Sequence, residues 1–122
     1  MNITLWIVAI VTALAFGAAG TLKLTQPKDK LKQQMGWVED FSPNQLRLIG
    51  ATEVLGALGL IMPAVTGIAT VLVPLAATGL AVVMVLASVV HLRRGEPKVL
   101  PVNIVLFLLA TFVAVGRFAL PL

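Results

Sequence analysis

The chain has 122 residues, of which 59% are hydrophobic and only 11% are charged, and its net charge is +4. A soluble domain of this length has too little interior to hide so much apolar surface, so the composition excludes an ordinary soluble fold and indicates a lipid bilayer as the solvent. The chain has no cysteine and one histidine, which excludes disulfides, thiol redox relays and a histidine-rich metal site.

The first predicted element is an apolar run at residues 3–22, which is long enough for one helical crossing of the hydrocarbon core. No basic residue precedes this run, so an uncleaved span is favoured over a signal peptide. A second span is expected at residues 43–62. It follows Ser42-Pro43-Asn44-Gln45, which has the signature of a helix start: a serine cap, proline at the first helical position and a glutamine that completes a capping box.

The third span is expected at residues 68–92, after a short apolar turn at residues 63–67, and the fourth at residues 102–120. Short connections between helices favour antiparallel neighbours. We therefore predict an all-α membrane protein in which residues 1–122 form a single domain, an up-down bundle of four transmembrane helices.

Basic residues gather in two of the three loops. Loop 23–42 carries four lysines and loop 91–101 carries two arginines and one lysine, whereas the short second turn carries no charge. Because positively charged loops remain in the cytoplasm, both are expected there, with both termini outside the cell membrane. This placement attributes the positive charge to topology and to anionic lipid headgroups, and not to nucleic acid.

Loop 23–42 also contains Trp37 and Phe41 among lysines and acidic residues. Such a mixture is typical of an interfacial segment that lies on the headgroups and is anchored by its aromatic side chains. The alternative is a lid over a cavity between the helices. Residue types alone favour the anchor.

Glu53 is the most informative polar residue, because it lies about 15 Å into the second span and so near the bilayer midplane. A carboxyl group there must be protonated, be paired or face water. Lys23, His91 and Asn103 are candidate partners at the cytoplasmic ends of the other spans. These residues predict either a polar pocket that binds a ligand or a Glu53–Lys23 pair that only fixes helix register. Arg117 is expected to reach the outer headgroups.

Five stretches of the sequence share a wider pattern. They are Gly20-Thr21-Leu22-Lys23-Leu24, the run from Leu48 to Leu60 followed by Pro63, the run from Pro74 to Leu80, His91-Leu92, and Gly116-Arg117. Together they resemble the DoxX-like family of small four-span membrane proteins. The resemblance implies a four-helix bundle whose polar positions are Lys23, Glu53, His91 and Arg117.

The founding name of that family belongs to a subunit of a thiosulfate:quinone oxidoreductase complex. The resemblance alone therefore allows a quinone as cofactor, and it implies no metal. The missing cysteines argue against thiol–quinone chemistry, because that chemistry needs a thiolate nucleophile.

The sequence contains no catalytic constellation, which favours a role without enzymatic activity. The first hypothesis is an accessory subunit or assembly factor of a membrane complex, which contacts a membrane protein partner or a second copy of itself through ridges of small residues. The ridges comprise Ala9, Ala13 and Gly17 on the first span and Gly56 and Gly59 on the second. The alternative is a redox module that binds a quinone or another apolar ligand between its helices. A small proton-coupled transporter that uses Glu53 ranks third.

Overall fold

A computed structural model describes the backbone of residues 1–122 and the side chains of all of them except residues 34 and 97. Four long helices are present: α1 (Asn2–Thr25), α3 (Pro43–Thr66), α4 (Leu72–Arg93) and α5 (Leu100–Ala119). Between them lie a short helix α2 (Lys28–Gln34) and two 3-10 helices at Gly36–Asp40 and Pro97–Val99. The four long helices are each long and apolar enough to cross a membrane, so the predicted four-span membrane fold is confirmed.

The start of α3 is fixed by its own sequence. The Ser42 hydroxyl accepts a hydrogen bond from the Gln45 amide at 3.1 Å, and the Gln45 side chain accepts one from the Ser42 amide at 2.8 Å. This reciprocal pair is the predicted capping box, and it satisfies two amide groups that a helix start leaves free. At the other end Gly67 takes a left-handed conformation with φ of 71°, which glycine adopts without strain and which ends the helix.

The connection between α3 and α4 differs from the prediction. The expected turn at residues 63–67 is helical as far as Thr66, and α4 begins at Leu72 and not near residue 68. Proline lacks the amide hydrogen for an internal helix bond, but a membrane helix tolerates this loss where neighbouring helices hold it in place. Pro63 is buried inside the bundle. The left-handed Gly67, and not Pro63, therefore ends the helix.

Each long helix packs against the next one along the chain, and α5 closes the ring by contacting α1. The most extensive interfaces join α1 to α3 and α4 to α5. Phe16, Leu60, Leu80 and Val113 are buried in the shared core. This arrangement is the predicted up-down bundle.

Loop 23–42 is folded onto the end of this bundle and has a small core of its own. Leu31 from α2, Val38 from the 3-10 helix and Leu46 from α3 are buried together. Their contact fixes the 3-10 helix above the start of α3, which brings the aromatic side chains of this loop close to the polar residues of the neighbouring helices.

The small-residue ridges lie at contacts within the bundle. A Cβ atom added at Gly56 would lie 2.6 Å from the Leu80 side chain, and one added at Gly59 would lie 2.8 Å from Cβ of Ala76. Ala9 is buried in the core. These residues therefore let α3 approach α4, and α1 approach its neighbours, within one chain.

Candidate functional site

Lys23 and Glu53 meet between α1 and α3. The Lys23 ammonium lies 2.5 Å from Oε1 of Glu53, and the two residues are only 7% and 2% exposed. Glycines create this contact, because a Cβ atom at Gly20 would lie 2.6 Å from the Gly50 carbonyl oxygen and one at Gly50 would lie 2.8 Å from the Gly20 carbonyl oxygen. The helix backbones touch here, and the ion pair compensates two charges that would be costly alone in hydrocarbon.

Arg47 binds the end of α1. Its guanidinium donates to the backbone carbonyl of Lys23 and, at 2.8 Å, to that of Gln26. The last carbonyls of a helix lack internal partners and carry partial negative charge, so a cation stabilises them. Arg47 thus holds the backbone that carries Lys23 against α3, a role that sequence spacing alone did not predict.

Lys23 has a second partner in loop 23–42. Its ammonium nitrogen lies 5.5 Å from the centre of the Trp37 ring, within the range of a cation–π contact. The Trp37 ring also meets Phe41 edge to face at 5.4 Å and His91 edge to face at 6.4 Å. Trp37 therefore connects the ion pair of α1 and α3 to the end of α4.

A chain of polar contacts continues from His91 across loop 91–101. Nδ1 of His91 lies 3.3 Å from Oε1 of Glu96, and the same oxygen accepts a hydrogen bond from Arg94 at 3.0 Å. Arg94 also forms a salt bridge of 3.0 Å with Asp40. The hydrogen bond that Arg94 donates to the Asp40 carboxylate is the main cause that raises the pKa of Arg94 above its ordinary value, and Glu96 adds to it. These contacts tie the 3-10 helix at Gly36–Asp40 to the end of α4.

A cavity of about 650 Å³ lies between α3 and α4, below Trp37 and Phe41. Its walls are mostly apolar. They are formed by Leu48, Ile49 and Thr52 of α3, by Val83, Leu86, Ala87, Val89, Val90, His91 and Arg93 of α4, and by Asn103 of α5. The lining residues of α4 extend from its last turn to Val83, a length of about 15 Å that reaches toward the middle of the bilayer.

Asn103 lies in the first turn of α5 and lines this cavity. It is only 6% exposed, and its side-chain Nδ2 has no hydrogen-bond partner among the described residues. A buried polar group without a partner is destabilising, so such groups are uncommon in folded proteins and call for an explanation.

The predicted polar residues therefore fall into two sets. Lys23 and Glu53 pair in the closely packed α1–α3 interface and are not part of the cavity wall, whereas His91 and Asn103 line the cavity between α3 and α4. Trp37 contacts members of both sets. The described side chains include no cluster of three or more residues suited to hold a metal ion.

Arg117 departs from its prediction. It lies at the opposite end of the bundle, where its guanidinium donates to the side-chain oxygen of Asn2 at 2.8 Å, and it is 5% exposed. The expected position among the outer headgroups is wrong, because the contact between α5 and α1 offers Arg117 a polar partner inside the bundle. The residue joins the start of α1 to the end of α5.

A sequence profile of the DoxX-like family matches residues 7–113. No curated protein and no solved structure matches the chain. The matched segment contains both polar sets and the loop that connects them. The chain belongs to the DoxX-like family.

Proposed function

We propose that this DoxX-like membrane protein is a binding module that holds one apolar molecule in the cavity between α3 and α4. The observation that carries the proposal is an apolar cavity of about 650 Å³ whose wall contains Asn103, a buried residue whose Nδ2 has no hydrogen-bond partner in the described part of the chain. Sites for small molecules commonly have volumes of about 300–1,000 Å³ and combine apolar walls with a few fixed polar groups. Both features are present in this cavity.

The cavity is accessible from the lipid side of the bundle. Leu48 and Leu86 line it from opposite helices and are 68% and 60% exposed. In a protein surrounded by lipid, such side chains face acyl chains, because no water reaches this depth. An apolar ligand would enter sideways from one leaflet without crossing an aqueous layer.

Trp37 and Phe41 act as the lid of this site in the proposed function. Their 3-10 helix is held by the buried Val38 and by the Arg94–Asp40 salt bridge, so the two rings stay over the end of the cavity. Because the 3-10 helix is fixed in this position, its two aromatic side chains are better interpreted as a lid over the cavity than as an anchor that lies free on the headgroups.

The site opens toward the cytoplasmic leaflet of the cell membrane if the basic loops lie inside. Lys30, Lys32 and Lys98 are exposed on the two loops at this end of the bundle. The excess of lysine and arginine in both loops supports a cytoplasmic location for them, with the termini outside.

An accessory subunit or assembly factor is the second candidate. Gly79 on α4 supports it, because the position is exposed and no described residue beyond the local turn of the helix comes within 4 Å of a Cβ atom placed there. A helix of a membrane partner or of a second copy could approach closely at such a position. This candidate ranks lower because the other ridges, such as Gly56 and Gly59, are already occupied inside the bundle.

The test is mass spectrometry of the apolar molecules that accompany the protein when it is purified from its own membranes in mild detergent. The wild type is compared with Ala87→Phe, whose ring would occupy part of the cavity, and with Gly79→Ala, which adds a methyl group on the exposed face of α4. We expect one molecular species to be enriched in the wild type and in Gly79→Ala and to be lost in Ala87→Phe. An identical lipid profile in these three proteins would contradict the proposal. A further variant, Gly79→Phe, tests the accessory role: loss of a co-purifying membrane protein in this variant would favour that role.

A further inference from the structure

We propose that the cavity selects a molecule with a neutral hydroxyl group, which accepts a hydrogen bond from the Asn103 amide and donates one to Nε2 of His91. This inference rests on the proposed binding function and specifies the chemistry of the bound head group. The two residues occupy matching depths, because His91 lies in the last turn of α4 and Asn103 in the first turn of α5. Both line the same cavity.

The Asn103 amide supplies the donor. Its Nδ2 is enclosed without a partner among the described residues, although the residue itself is part of the cavity wall. An oxygen atom of a bound molecule would satisfy this amide in a place where water has little access. A purely hydrocarbon ligand would leave it unsatisfied.

The His91 ring supplies the acceptor. Glu96 binds Nδ1 of this ring and also accepts a hydrogen bond from Arg94, so its carboxylate acts as an acceptor toward both groups. The proton of a neutral His91 is therefore on Nδ1, and Nε2 carries a lone pair. The Trp37 ring packs edge to face against the His91 ring, with the two ring centres 6.4 Å apart, and helps to fix the orientation of the imidazole.

A hydroxyl group matches this pair better than other head groups do. A hydroxyl both donates and accepts, whereas an ether, an ester or a ketone only accepts and would use Asn103 alone. A carboxylate would face the lone pair of His91. Thr52 also lines the cavity, but its hydroxyl donates to the Leu48 carbonyl at 2.9 Å, so it can only accept from a bound molecule and cannot replace the donor that Asn103 supplies.

Among the described residues of the cavity wall, Arg93 is the one Lys or Arg side chain, and it is exposed at the mouth. An anionic head group would therefore bind at the headgroup layer and not beside Asn103. Comparison of an alcohol with the acid of the same chain length distinguishes these two positions.

Trp37 provides the readout. Trp6 and Trp37 are the two tryptophans of the chain, so Trp6→Phe leaves a single reporter next to the cavity. This protein is titrated in detergent micelles with four brominated long-chain compounds of equal length: the alcohol, its methyl ether, the carboxylic acid and the methyl ester. Bromine quenches the Trp37 fluorescence when the compound is bound nearby.

We expect the alcohol to bind about tenfold more tightly than its methyl ether, because only the alcohol can donate to His91. His91→Phe should reduce alcohol binding to the level of the ether and leave ether binding unchanged, which shows that the cavity of this variant is still folded. Asn103→Leu should weaken the alcohol and the ether alike, because both accept a hydrogen bond from the Asn103 amide. Displacement of the alcohol by a sterol-type alcohol or by diacylglycerol then identifies which hydroxyl-bearing lipid fits.

The outcomes separate the two proposals. If all four compounds quench equally, or if the acid binds most tightly, the hydroxyl inference is overturned while the binding function stands. If none of them quenches Trp37, the binding function itself fails.

Discussion

The two sides of α3 differ in how closely they meet their neighbours. On one side the backbone of α3 touches α1 at Gly50 and Gly20, and the Lys23–Glu53 pair is enclosed beside that contact. On the other side α3 approaches α4 closely around Gly56 and Gly59, and a cavity lies between the two helices nearer to loops 23–42 and 91–101. The comparison indicates that one helix can combine a closely packed interface on one side with a cavity on the other.

The position of the glycines explains the difference. A helix backbone approaches its neighbour only where side chains are absent or small. Leu48, Ile49 and Thr52 lie on the cavity side of α3, and no glycine is among the described residues that line the cavity. The glycines thus determine where the bundle closes.

Removal of one member of the ion pair should have the largest effect on the closed side. Glu53→Leu leaves the Lys23 ammonium buried without its partner, and such a change costs about 3–5 kcal/mol in the free energy of unfolding. Unfolding in mixed micelles measures this loss. The double variant Lys23→Met with Glu53→Leu is the control and should recover most of the stability; an equally unstable double variant would contradict a simple ion pair.

The next largest effect should come from the glycine contact. In Gly20→Val the new side chain meets the Gly50 carbonyl and the Val54 side chain, so the helices must separate at a cost of about 1–3 kcal/mol. Gly79→Ala is the matched control. Its methyl group would contact no described residue beyond the local turn of the helix, and the change should be neutral or stabilising by up to about 1 kcal/mol. Equal melting temperatures for the two variants would show that the α1–α3 interface is not closed.

One kind of substitution can compare both sides of α3 directly. Ala57→Phe places a ring in the packed core next to Gly17 and should destabilise the protein by about 1–3 kcal/mol. Ala87→Phe places the same ring in the cavity wall and should cost much less. Thermal unfolding of both variants without added ligand measures the difference, and similar losses would remove the distinction between the two interfaces.

The smallest effect should arise at the lid. Arg94→Gln removes the salt bridge to Asp40 and weakens the contact with Glu96. We expect no measurable loss of global stability, but faster amide hydrogen exchange in residues 36–41. Lys98→Gln is the control on the same loop, because it is exposed. Unchanged exchange in Arg94→Gln would show that the lid does not depend on this salt bridge.

Local signals in the sequence were sufficient for the fold. Apolar runs of membrane-spanning length predicted four helices, and the Ser42–Gln45 pattern predicted the start of α3. The predicted end of α3 was wrong, because a proline does not have to end a helix that is packed inside a bundle. The helix continues through Pro63 to Thr66 and is capped by Gly67.

The candidate site was less predictable, because it depends on distances between helices. The sequence placed Glu53 near the midplane and named Lys23 as a partner, but it could not show that the pair lies outside the cavity. The contacts of Trp37 with both polar sets arise from the packing of loop 23–42. No periodicity within one helix reports such packing. Arg117 was assigned to the surface because its partner, Asn2, lies at the other end of the chain.

Photochemical labelling in intact membranes tests most directly whether the open side of α3 is a ligand site. A long-chain alcohol with a photoreactive diazirine in its tail is added to membranes that contain the protein, and the labelled residues are mapped by mass spectrometry. We expect labels to concentrate on the cavity wall, at residues 48–52 and 83–90, and to disappear from these positions in Ala87→Phe. Labels spread evenly over lipid-facing residues such as Leu14, Leu108 and Val115, with no change in the variant, would show that the cavity binds nothing.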